Sequence, residues 1–586
     1  MDDIPPSFAM LRRVAGGAAL FCCVVGAWAI VDAARAAEPA SEPAWRVGLA
    51  KVDVTPTLPV WLAGYSGIRD PDGALHPLWA KAIAFEAADG GRAVLITSDF
   101  QGVPASMSDR VFARLAAEHG LDRSRVMFAY SHNHCSPRLG DDLIDYYPVD
   151  PAQEAVVARY TAECVDACVS VVAQALAALA PAEIRVGAGR AGFAVNRRDN
   201  VEEDVPKLLA RGEPLRGVTD HSVPVLTVTR PDGRLDAVLF GYACHPTTLV
   251  FRTYCGDYPG FAQLAIEKSH PGTMALFVNT CGGDQNPVPR RSLELCERYG
   301  LMLAAGVEEA LRQPMEPVSC RLRTAFEMVQ LDYEKVADRE ELEAAAGGTH
   351  ALKARWGRRL LAKLAAGETF PTSYPYPLHA WRLGEGTLFI GMGGETVVDY
   401  ALRFKKRWGP GTWVLGYTDD MAAYIPSRRV WEEGGYEGGS TLYEYGRYGV
   451  RWAGTVDDTV DAGVTRVVEA VGPPVVAPVG RWPLGGDARS TVSATPHGEP
   501  GGGVRFESIA GRVAARFDGR GGMVTIPSAA PLRLGSGDFT ITAWVHTEPH
   551  VDDDLGDILA HFDPASRTGL HLGLRTNAGV TSSQAN

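Results

Sequence analysis

Short apolar runs alternate with longer stretches of helical spacing through most of the chain. Ala93–Thr97, Arg125–Tyr130, Asp236–Ala243, Met274–Asn279, Thr387–Gly391 and Trp413–Tyr417 have the length and content of buried strands. A 3.6-residue apolar spacing predicts helices over Pro151–Leu179, Gly260–Lys268, Arg291–Leu311 and Thr396–Arg407. Strands alternating with helices predict an α/β domain over 45–470, with both faces of a sheet covered by helices. Tyr333–Gly367, rich in Ala, Glu and Lys, reads as a helical insertion in it.

The pattern changes at both ends. Arg12 and Arg13, an apolar run from Val14 to Val31 and the small-x-small site Ala34-Arg35-Ala36 predict a secretory signal peptide over 1–37. An uncleaved membrane anchor is the alternative, since the run approaches the roughly 18-residue spanning length. The protein is therefore expected to be exported, periplasmic or extracellular. Residues 471–480, with Pro473, Pro474 and Pro478, read as a linker. Beyond it, over 481–586, a two-residue alternation in Ala515–Gly519, Val524–Pro527 and Asp538–Val545 predicts antiparallel β structure. Phe517-Asp518-Gly519 and the run Phe539-Thr540-Ile541 to Trp544 resemble a laminin G or concanavalin-type jelly roll. About a hundred residues are too few for that sandwich, so an incomplete one is expected. Such a domain suits a glycan or surface ligand and is expected to be dispensable for chemistry. Asp552-Asp553-Asp554 is a calcium candidate or an acidic solvated loop.

Composition narrows the class. Hydrophobic residues at 46% and charged residues at 22% are those of globular protein. The 57 Lys and Arg against 70 Asp and Glu, a net charge of −13, exclude a nucleic-acid binder, which needs a basic face. Oligomeric state is left open. Of ten cysteines, Cys22 and Cys23 lie in the leader, and an exported protein permits disulfides among the rest. Their connectivity is also open.

Candidate chemistry concentrates at the strand ends. Ser131-His132-Asn133-His134, Cys244-His245-Pro246, the run from Thr280 to Pro287, Met392-Gly393-Gly394-Glu395 and Thr418-Asp419-Asp420 each stand just past one. Ligand sites of α/β sheets lie there. His132 and His134, two apart, share one side of an extended segment; His245 adds a third imidazole and Glu395 a carboxylate. A catalytic zinc takes such nitrogen and oxygen ligands. The neighbouring Cys135 and Cys244 offer a thiolate site instead; if His132 and His245 share a metal, these two lie within about 10 Å of each other. A binuclear HxHxDH site is excluded, because Ser136 and Pro137 stand where Asp-His belongs. A single metal is expected.

The region 45–470 resembles the neutral/alkaline non-lysosomal ceramidases, zinc amidases that split N-acyl sphingosine. The resemblance rests on Val52-Asp53-Val54-Thr55-Pro56, Ala63-Gly64-Tyr65, Ser131 to Pro137, Asn196-Arg197, Ala243 to Thr247 and Gly394-Glu395. It rests also on Tyr424 and Tyr436, twelve apart, the second followed by Glu437-Gly438. It implies zinc ligands His132, His245, Glu395 and Tyr424. It also implies that His134, Arg197 and Tyr436 act on an N-acyl lipid or other small amide: Arg197 and Tyr436 as oxyanion donors, His134 stabilising that charge or protonating the leaving amine. One departure matters: Gly283-Asp284-Gln285-Asn286-Pro287 puts Asn286 where the family has a Ser proposed as nucleophile. Asn cannot form that acyl-enzyme, so attack by a zinc-activated water is expected, and the identity of the substrate stays open. A zinc hydrolase of another N-acyl compound or ester, or a non-catalytic surface-binding protein, are the alternatives.

Overall fold

The computed structural model describes residues 45–473, 480–492, 495–509, 512–528, 532, 541–543, 545, 557–563, 568–575 and 579–585. The expected signal peptide, most of the linker, the Asp552–Asp554 cluster and half of the Phe539–Trp544 run lie outside the described residues. The chain divides into two compact units, Pro39–Val476 and one that includes Ala477–Asn586.

The larger unit is built on two sheets. In chain order the strands of the first are β1 (Trp45–Asp53), β2 (Trp79–Glu86), β3 (Arg92–Ser98), β4 (Val126–Tyr130), β5 (Ala180–Arg190), β6 (Ser222–Thr229), β7 (Leu235–Tyr242), β8 (Met274–Asn279) and the short β9 (Glu316–Pro317). They lie side by side in the order β4-β3-β2-β1-β5-β6-β7-β8, with β9 on β5. The second sheet holds β10 (Leu322–Val336), β11 (Ser373–Leu383), β12 (Thr387–Met392), β13 (Trp413–Leu415) and β14 (Gly449–Trp452), ordered β13-β12-β11-β10-β14. Pairing is antiparallel except for β3–β4, β7–β8 and β12–β13.

The principal helices are α1 (Ala105–His119), α2 (Pro151–Ala177), α3 (Asp257–Ser269), α4 (Leu293–Arg312), α5 (Arg339–Gly347), α6 (Ala351–Ala365), α7 (Val398–Trp408) and α8 (Val456–Val471). Their starts are chemically marked. Asp150 accepts from the amides of Ala152 and Gln153 ahead of Pro151, Ser292 from Leu295, and Asp338 forms a capping box with Glu341. α2 packs on β1 and β2, α4 on β5, and α8 on β10 and β11.

Strand alternation assigns each face. On β4, Val126, Phe128 and Tyr130 face the helix side, while Met127 and Ala129 join Leu95, Leu239, Leu276 and Val278. That second cluster also contains Trp381, Leu383, Phe389, Trp413 and Leu415 of the other sheet. The sheets therefore stack face to face and helices cover only their outer faces. This corrects the expected single sheet with helices on both sides. Alternating apolar residues report that both faces are buried and are indifferent to what buries them. Two local differences accompany this one. Tyr333–Val336, expected as the start of the helical insertion, is the end of β10, and the insertion itself is the helix pair α5–α6. β13 stops at Leu415, because Tyr417 turns into the left-handed region at φ 56°.

The stack brings three strand ends together. The amide of Tyr130 donates to the Tyr417 carbonyl (3.0 Å), Asn279 donates through Nδ2 to Ser131 O (3.1 Å), and Thr280 bridges to Leu415. The carboxyl ends of β4, β8 and β13 thus share one place, although two sheets supply them.

In the C-terminal unit the described strands pair antiparallel: Val504–Ile509 with Arg512–Phe517, Glu499–Pro500 with Val524–Thr525, and Asp557–Asp563, Thr568–Arg575 and Gly579–Ala585 in sequence.

The inter-sheet cluster sets a stability prediction. Phe389, 2% exposed, stacks on Trp413 at 4.7 Å between ring centroids. Phe389→Ala is expected to cost about 3–5 kcal/mol in denaturant unfolding. A loss below about 1 kcal/mol would show that the two sheets do not share a tight core.

Candidate metal centre

His132 follows β4 after one residue and sits at φ 66°, a conformation unusual for a residue with a Cβ. Its amide donates to Phe100 O (2.9 Å) and its ring Nδ1 to Gln101 O (2.7 Å). His245, beyond β7, donates through Nδ1 to Gly282 O (2.7 Å). With each Nδ1 proton held by a backbone carbonyl, the Nε2 lone pair of both rings turns inward. Both point at one atom: Glu395 Oε2 lies 2.8 Å from His245 Nε2 and 3.2 Å from His132 Nε2.

Glu395 reaches this place by a local device. Gly394, at φ 70°, brings its backbone so close to Ala423 that a Cβ would lie 2.4 Å from the carbonyl oxygen. Glu395–Thr396 then pairs in parallel with Tyr424–Ile425, so residues 395 and 424 are cross-strand partners. The Tyr424 hydroxyl lies 3.3 Å from His245 Nε2.

His132, His245 and Glu395 are buried, and their ligand atoms all fall within 4.8 Å of one another. Burial and the Arg197 guanidinium push the His245 imidazole down to about 4, so it is neutral near pH 7. A neutral imidazole with its Nδ1 proton committed elsewhere has only a lone pair to offer the carboxylate. Lone pairs of two rings and an anionic oxygen crowded together call for a cation between them. Nitrogen and carboxylate ligands suit zinc. The residues present therefore fit a metal ion.

Around this group the other expected residues assemble. Arg197 Nη2 donates to Tyr424 Oη (2.9 Å), its Nε to Glu437 Oε1 (2.7 Å) and its Nη1 to Asn286 Oδ1 (3.3 Å). Asp284, fully buried, holds the Arg197 amide through its carbonyl (2.9 Å) and the α7 amide of Val398 through its carboxylate (2.9 Å). Tyr436 stands with its ring 5.2 Å from Tyr424 and 5.6 Å from the Arg197 guanidinium. His134 Nε2 is 3.2 Å from His132 Nε2. Its ring is seated against Tyr65 at 4.7 Å and over Gly64, where a Cβ would come 2.4 Å from Cγ. Its depth and the two neighbouring imidazoles hold His134 well below the usual histidine range. All seven sequence candidates, His132, His134, Arg197, His245, Glu395, Tyr424 and Tyr436, thus meet in one cluster.

Several members had no sequence signal. Gln101 and Gly282 act through backbone carbonyls, which every residue possesses. Tyr445 donates to Glu395 Oε1 (2.5 Å), and Glu444 accepts from Tyr436 (3.1 Å); neither stands at a telling spacing. The eight described cysteines are free thiols. Cys135 has its carbonyl bonded by the amide of Cys255 (3.0 Å), a neighbour not anticipated.

Residues 45–297 match the family model described as neutral/alkaline non-lysosomal ceramidase, N-terminal. Two curated relatives extend the match. The neutral ceramidase of Pseudomonas aeruginosa is 23% identical over 473 residues, covering 68% of this chain and 69% of its own. That of Mycobacterium tuberculosis is 24% identical over 463 residues, covering 65% and 71%. These findings support the neutral/alkaline ceramidase family. The ceramidase-like fold is seen directly in a solved neutral ceramidase from P. aeruginosa, with TM-score 0.56 and 21% identity over 75% of this chain and 77% of that one. A ceramidase complexed with C2 gives TM-score 0.56 and 19% identity over 80% and 82%. Glu395, Tyr424 and Tyr436 lie beyond the part that the family model matches, so the cluster is completed by residues outside it.

Elemental analysis of the full chain, purified without chelators, is expected to find one metal ion per chain. His245→Ala is expected to lose it, because a catalytic site here has at most four protein ligands. Undiminished metal in that variant would remove the three-residue group as the binding site.

Proposed function

We propose that this chain is an exported, zinc-dependent amidohydrolase of neutral ceramidase type, cleaving the amide bond of an N-acyl lipid with water. One observation carries this reading: two imidazole Nε2 atoms converge on a single buried carboxylate oxygen, beside a guanidinium and two phenols. The leader pattern of residues 1–37 supports export, and the family comparisons support the lipid amide.

His132, His245, Glu395 and Tyr424 would hold the zinc, which polarises an amide carbonyl and brings the pKa of water towards about 7. The remaining steps belong to the chain's own groups. Glu437 and Asn286 hold Arg197 from two sides, so its positive charge stays beside Tyr424 while negative charge develops on the amide oxygen. Tyr436, 45% exposed on the open side of the site, gives its one hydroxyl proton to Glu444 at rest and would turn it to the same oxyanion as negative charge develops there. His134, neutral and lodged between Tyr65 and His132, takes the proton released by the attacking water. It stands within reach to pass that proton on to the leaving nitrogen. Asn286, 4% exposed and bonded to Arg197, offers no nucleophile, which favours direct attack by water over an acyl-enzyme. The same Asn286 favours, as a second reading, a different N-acyl compound or an ester.

The test uses the purified full chain against N-acyl sphingosines, other N-acyl amides and esters. Chelator-sensitive release of fatty acid from N-acyl sphingosine is expected, and Arg197→Ala is expected to lower the rate about 10²–10³-fold. Chelator-insensitive turnover would end the zinc reading. Intact-protein mass spectrometry during turnover is expected to show no acyl adduct; an adduct on any Ser would exclude direct attack by water.

A further inference from the structure

One turn touches both halves of the site. Leu442–Tyr445 is a single 3₁₀ turn, and two of its residues in succession reach inward. We propose that Tyr445 and Glu444 are positioning residues, the first orienting the ligand Glu395 and the second orienting Tyr436; this rests on reading His132, His245 and Glu395 as a zinc site.

The two oxygens of Glu395 have separate partners. Oε2 faces His132 and His245, and Oε1 takes the hydroxyl proton of Tyr445 at 2.5 Å. A glutamate side chain has three rotatable bonds, so a carboxylate held at one oxygen only can swing away from an ion. The phenol removes that freedom and fixes which oxygen is presented. Ligating carboxylates are commonly held this way, and loss of such a partner typically costs about 10–100-fold in metal affinity.

Glu444 does the corresponding work for Tyr436. Its carboxylate, 8% exposed, accepts from Tyr146 (2.5 Å), Tyr436 (3.1 Å) and Tyr443 (3.3 Å). Tyr436 follows two glycines, Gly434 and Gly435, both in the left-handed half of φ space at 67° and 75°. A half-exposed phenol on such a segment has little else to hold its hydroxyl, and Glu444 supplies the anchor.

The turn is itself held from outside by the helical insertion. From α6, Trp356 Nε1 donates to Arg447 O (2.7 Å) and Arg359 Nη2 to Gly446 O (3.0 Å). Arg359 also pairs with Asp145 (2.6 Å), and Arg355 donates to the carbonyl of Tyr146 (2.7 Å), the residue that shares Glu444. The insertion, read from sequence only as helical, is thereby the outer brace of the site.

Tyr445→Phe and Glu444→Gln separate the two roles in the full chain. Zinc affinity by chelator competition, kcat and KM on zinc-saturated protein, and thermal unfolding are read for each. Tyr445→Phe is expected to bind zinc about 10–100-fold more weakly, with unfolding of the metal-free protein unchanged. Glu444→Gln is expected to keep zinc affinity within about threefold while kcat falls about tenfold or more at nearly constant KM, as for loss of an interaction made only in the transition state. Wild-type zinc affinity in Tyr445→Phe, or wild-type kcat in Glu444→Gln, overturns the corresponding assignment. Should Tyr445→Phe not fold, Arg359→Ala loosens the turn from outside and is expected to weaken zinc in the same direction; unchanged affinity there overturns the bracing. A wild-type chain that binds no zinc at all fails the underlying reading instead, which the first titration distinguishes.

Discussion

A carboxylate with almost no access to water must be compensated, and the larger unit is organised around compensating Glu395. Burial by itself pushes its carboxyl up, and only positive charge close to it brings the carboxyl back down. Both imidazoles are in turn committed through Nδ1 to backbone carbonyls, so neither can rotate to relieve the crowding. An isolated charge in such a place would cost several kcal/mol or more. The arrangement makes sense as the coordination shell of a cation, and the ring orientations, the Gly394 turn and the short Glu395–Thr396 pairing all serve it.

That shell is possible because two sheets are stacked with their strand ends in register. Residues past β4 and β7 supply the histidines, and residues past β12 supply the carboxylate. The cross-links Tyr130–Tyr417 and Thr280–Leu415 tie the first sheet to the second at this level, and Asn279–Ser131 joins two strand ends of the first. A slip of one residue in any of these strands would exchange its buried faces and turn the ligands away. The local cost is visible in backbone conformation. His132 and Tyr417 both lie in the left-handed region, which costs a residue with a side chain about 1–3 kcal/mol each. Strain persists where the surroundings overdetermine it, and here it falls on a ligand and on the residue whose ring packs 4.8 Å from that ligand.

The centre and its rim divide the chemistry between them. Deep residues, His132, His245, Glu395 and Tyr424, are held by backbone and by one another. Arg197, Asn286 and Tyr436 sit further out, joined by side-chain contacts, and answer to what approaches. Asn286 belongs to this outer group, and its side chain accepts from Arg197.

The sequence by itself determined six of the fourteen strands of the two sheets, most helices and the polar groups that follow those strands, because each rests on local information. A buried strand needs an apolar run, and a ligand needs a side chain of the right chemistry just beyond it. His132, His245 and Glu395 were legible for that reason, and the resemblance to the ceramidases added Arg197, Tyr424 and Tyr436. What covers the inner faces of the sheets was decided only by tertiary structure. Met127 and Leu239 carry the same apolar signature whether a helix or a second sheet lies across from them. The partners Gln101, Gly282, Glu444 and Tyr445 were likewise settled by the fold, since a backbone carbonyl or a lone tyrosine acquires its meaning from a neighbour far away in sequence. Periodicity records how deeply a residue is buried, and only the folded chain decides against what.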